Sequence, residues 1–74
     1  MNVSQETEHL AQANRHIEEF RQRVADQEES IAELERDGHP TVDARALLNE
    51  FMETLRLAID HRDMIIRDLA IRGC

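Results

Sequence analysis

From Leu10 to Leu34 the chain alternates spacings of three and four without a break, through Leu10, Ala13, Ile17, Phe20, Val24, Gln27, Ile31 and Leu34. Val3 extends the first column one heptad further back. Only a helix gathers residues so spaced onto one narrow stripe, and a stripe that recurs every 3.5 residues is a coiled-coil seam. β-Branched Ile17, Val24 and Ile31 occupy three of the four a positions that start at Leu10. A helix with one such stripe has to lay it against another helix, which commits the chain to all-α packing. Asn2 or Ser4 is the expected cap, and Glu6 and Glu8 suit the positive end of the helix dipole.

The stop is as legible as the seam. In Arg36-Asp37-Gly38-His39-Pro40-Thr41, Gly38 suits the left-handed position that ends many helices. Pro40 has no amide hydrogen with which to continue the helix, and it biases His39 towards extended backbone. Thr41 then caps a second helix, with Asp43 in its first turn. The spacing predicts helix 1 over about 4–37, a turn at 38–41 and helix 2 over about 42–71, a single unit spanning 1–74. So short a connection makes the helices antiparallel neighbours.

Helix 2 has a wider apolar face. Leu48, Leu55 and Leu69 form one column, broken by Arg62; Phe51, Ala58 and Ile65 form a second; Met52, Ile59 and Ile66 form a third. If the turn centres near His39, facing residues have numbers that sum to about 79 in an antiparallel pair. Phe20 then lies opposite Ala58, Ala13 opposite Ile65 and Ile66, and Phe51 with Met52 over Gln27. Large against small across the seam fills a core at close packing.

A lone hairpin hides too little. Each helix meets one neighbour, so the third column would stay wet beside Leu47, and contiguous apolar surface of that kind marks an interface. The expected remedy is a homodimer, two hairpins forming a four-helix bundle, with self-association carried by Leu48, Phe51, Met52, Leu55, Ile59, Ile65, Ile66 and Leu69. Residues 26–53 hold nine acids and two Arg, a net of -7, whereas 1–25 and 54–74 hold seven of each. Turns at opposite ends of the dimer keep those acidic regions apart, over the ~8–10 Å that salt leaves unscreened.

The charge excludes other roles. With 16 acids against 9 Arg and no Lys, the chain repels nucleic acid and anionic membrane surfaces. No apolar run approaches the ~18 residues that cross a bilayer, so a cytoplasmic protein is expected. Cys74, the single cysteine, permits neither an internal disulfide nor a cysteine-based zinc site. Two Gly, both at helix ends, leave no phosphate cradle, and no nucleophile elbow or Ser-His-Asp order is present. No enzyme activity, cofactor or resident metal is expected.

Two rival roles remain. The run Asp26, Glu28, Glu29, Glu33, Glu35 and Asp37 could dock a basic protein or mimic a nucleic acid, although a charge run on a helix is usually a solvated face. Glu33, Glu35 and Asp37 sit at the negative end of helix 1, where acids are mildly unfavourable. In the register above, His16 and His61 lie near one another and could bind zinc with Glu19 or Asp60. Glu6-x-x-His9 has the spacing of helical di-iron bundles, but no second such motif occurs.

His16-Ile17, the segment Leu34-Glu35-Arg36-Asp37-Gly38-His39-x-Thr41, Ala44, the segment Leu47-Leu48-x-x-Phe51-x-x-Thr54-Leu55 and His61-Arg62 form a pattern. It resembles that of a group of small uncharacterised bacterial helical-hairpin proteins, over about three-quarters of the chain. The resemblance implies a hairpin with a fixed turn and brings no activity with it.

Overall fold

The computed structural model describes residues 3–72. Two helices, α1 (Val3–Arg36) and α2 (Val42–Arg72), fold back on one another as an antiparallel hairpin. The result is a rod 56 Å long and 15 Å by 14 Å across. Both bounds fall within a residue or two of the expected ones. Helix α1 has already begun at Ser4, and Asn2, the other expected cap, lies outside the described residues, as does Cys74.

The connection works as its residue types require. Gly38 has φ +74°, the left-handed conformation that other residues adopt only with strain. Around it the His39 amide donates to the Leu34 carbonyl at 2.9 Å and the Gly38 amide to the Glu35 carbonyl at 3.1 Å. This crossed pair is the Schellman closure, and it satisfies carbonyls that the helix end would leave open. Thr41 stands at the head of α2, its carbonyl accepting from the Arg45 amide at 2.8 Å and its hydroxyl from Arg45 Nε at 3.1 Å.

The core is a single seam. Ala13, Ile17 and Ile31 are buried, and Leu10, Phe20, Val24, Gln27 and Leu34 are half-buried, so every position of the α1 stripe from Leu10 to Leu34 points inward. No residue of α2 is fully buried. The reason is width: α1 offers two columns that fit beneath α2, whereas α2 is apolar over a broader arc than one neighbour can cover.

Pairing across the seam differs in detail from the expected register. The Phe20 ring meets Phe51 edge-on, centroids 6.4 Å apart, one heptad nearer the turn than Ala58. Gln27 Nε2 donates to the Ala44 carbonyl at 2.9 Å, again one heptad nearer the turn than Phe51. A knob sits in a hole bounded by four residues that together span a heptad, so each side chain reaches the near edge of its hole as well as the far one.

Candidate functional site

The flanks of α2 carry the surface chemistry. Every large exposed apolar side chain among the described residues is on α2: Val42, Leu47, Met52, Leu57, Met64, Ile66 and Ile71. Helical spacing sorts most of them into two stripes. Met52 and Ile66, 51% and 44% exposed, flank half-buried Ile59 on one side. Leu57, Met64 and Ile71 run along the other side. Between the stripes lies a charged ridge, where Arg56 bonds Glu53 at 2.6 Å and Asp60 at 3.2 Å. The hydrogen bond from Arg56, and then its charge, hold the Glu53 carboxyl below its ordinary pKa; Glu53 raises that of Arg56 by the same two causes.

The eight residues expected to serve self-association therefore divide. Leu48, Phe51, Leu55, Ile65 and Leu69 are half-buried in the columns that face α1, and they build the hairpin core first. Met52 and Ile66 remain as surface, with half-buried Ile59 between them and the seam. The stripe of Leu57, Met64 and Ile71 was missed by sequence reasoning, although its seven-residue spacing was there to be read.

Polar residues in the seam are all accounted for. Arg62 is half-buried and its Nε donates to Asp63 at 3.2 Å, so its stem packs while its head stays at the edge. Glu6 is 5% exposed, as deep as Ala13, and is paired with Arg72. It occupies the seam position one heptad before Ala13, a place sequence reasoning read only as a dipole partner. Among the described residues no buried side-chain nitrogen or oxygen lacks a partner.

The acids from Asp26 to Asp37 all face water. Two are engaged within the hairpin: Asp26 accepts from Gln22 at 2.8 Å, and Glu35 pairs with Arg45. His16 and His61 do line one hollow, of about 270 Å³, together with His9, Gln12 and Ala13. Among the described residues, however, no three His, Cys, Asp or Glu side chains are grouped so as to hold a metal ion. No helix among the described residues is long and apolar enough to cross a membrane. No protein-family model, curated protein or solved structure matches the chain.

Proposed function

We propose that this protein is a non-enzymatic, self-associating interaction module, a homodimer of hairpins in a four-helix bundle. The observation that carries the reading is the confinement of every large exposed apolar side chain among the described residues to one helix. A lone hairpin would leave that surface in water at a cost of roughly 25 cal/mol for each Å². Scattered apolar residues need no explanation, but columns at heptad spacing on a single helix do. Association through α2 would bury such a column and give α2 the second neighbour its wide face fits. Light scattering after gel filtration tests this. The expected mass is twice the 8.6 kDa of the chain. A single-chain mass at the highest attainable concentration would end the proposal.

A further inference from the structure

We infer that α2 is the dimer helix: it lies antiparallel against α2 of a second copy along Met52, Ile59 and Ile66, with Ile59 on the two-fold axis. The inference rests on the self-association proposed above and specifies its geometry. A two-fold contact uses the same patch on both partners, so the patch must be complementary to itself. This column is. Antiparallel pairing about Ile59 sets Met52 of one copy against Ile66 of the other, and the two Ile59 side chains against each other.

Charge selects the same helix. From Val3 to Arg36, α1 carries nine acids and four Arg, a net of -5, and α2, from Val42 to Arg72, six acids and five Arg, a net of -1. Contact through α1 would press two acidic surfaces together, whereas contact through α2 is nearly neutral. Charge also selects the direction. Arg56 and Asp63 border the column one heptad apart, on either side of Ile59. Antiparallel helices bring Arg56 beside Asp63 of the second copy. In parallel helices this flank of one copy faces the opposite flank of the other, so Arg56 and Asp63 would not meet.

Continuity with the core decides between the two flanks. Ile59 is half-buried and joins the hairpin seam to Met52 and Ile66, so a second copy here extends one core. Leu57, Met64 and Ile71 are 54%, 55% and 74% exposed, and the column between them and the seam includes Thr54, His61 and Asp68. That stripe is an island.

Cysteine cross-linking in a Cys74→Ser background tests the geometry, with mass measured on the same samples and helicity checked by circular dichroism. Ile59→Cys should couple to itself under mild oxidation at least about tenfold faster than Met52→Cys, because a disulfide demands close Cα atoms and a shared axis supplies them. Met52→Cys mixed with Ile66→Cys should couple across the pair. If Met52→Cys couples to itself as fast as Ile59→Cys, the helices are parallel and the inference fails. If Met64→Cys on the other flank, or Ala25→Cys on α1, couples in place of Ile59→Cys, the surface is wrong while self-association stands. A single-chain mass would instead remove the self-association reading, and the geometry with it.

Discussion

Ile17→Ala measures how much the narrow seam contributes. Ile17 is 2% exposed and is the one large side chain among the described residues that is fully buried. The change removes three carbons, worth about 0.8 kcal/mol each or ~2.4 kcal/mol in transfer. The hole left behind adds about 24 cal/mol per Å³ that the surroundings fail to refill. Here the walls can close in, because the facing helix has no fully buried residue to hold it in place. The total is therefore about 2.5–3.5 kcal/mol, in the lower half of the range for such truncations. Leu57→Ala is the matched control. Its side chain is 54% exposed on the outer flank, so transfer falls to about 1 kcal/mol or less and no cavity forms. Urea unfolding followed by far-UV circular dichroism is the assay, since the chain has no Trp or Tyr to report by fluorescence. Chain concentration must be fixed, because the proposed self-association would couple stability to it. Equal costs for the two substitutions, or a loss under about 1 kcal/mol for Ile17→Ala, would refute the picture of a single buried stripe.

Further outcomes follow from particular contacts. Phe20→Ala should cost about 2–3 kcal/mol, less than the ~3–5 of a fully buried ring, because Phe20 is half-buried against Phe51; a neutral result in the same urea assay counts against the edge-on pair. Gly38→Ala should cost about 1–2 kcal/mol from backbone strain alone, since a Cβ there meets nothing within 4 Å; an unchanged midpoint would mean that the left-handed turn is not required. Arg72→Ala should destabilise by about 1–3 kcal/mol by leaving buried Glu6 unpaired, whereas Glu6→Leu should be neutral or stabilising. Comparing the two urea midpoints checks this, and a destabilised Glu6→Leu contradicts it. The depressed Glu53 carboxyl contributes stability above its ordinary pKa and loses it as pH falls through the folded value. Arg56, being raised, contributes below its ordinary pKa and loses that only in strong alkali. Carboxyl titration by NMR should show Glu53 returning to the ordinary range in Arg56→Ala, and no return means the ridge contact does not form.

The sequence by itself determined the hairpin, because each part of it has a local cause. Alternating three- and four-residue spacing leaves α1 no way to hide its stripe except against another helix. Gly38 and Pro40 end one helix, and Thr41 begins the next, through backbone terms that act over a handful of residues. Chain periodicity also placed His16 and His61 together, and both do line one hollow. What periodicity could not decide was how far around α2 its partner reaches. Sequence marks the arc of α2 as apolar, but only the packed pair shows that α1 covers the columns of Phe51 and Leu55 and leaves Met52 and Ile66 in water. Tertiary structure likewise turned Glu6 from a dipole partner into a buried carboxylate paired with Arg72, which comes from the far end of the chain. The hole each seam residue fills was decided there too: a repeat of seven leaves a heptad of ambiguity, and Phe20 settles against Phe51 only where two side chains of fixed volume meet.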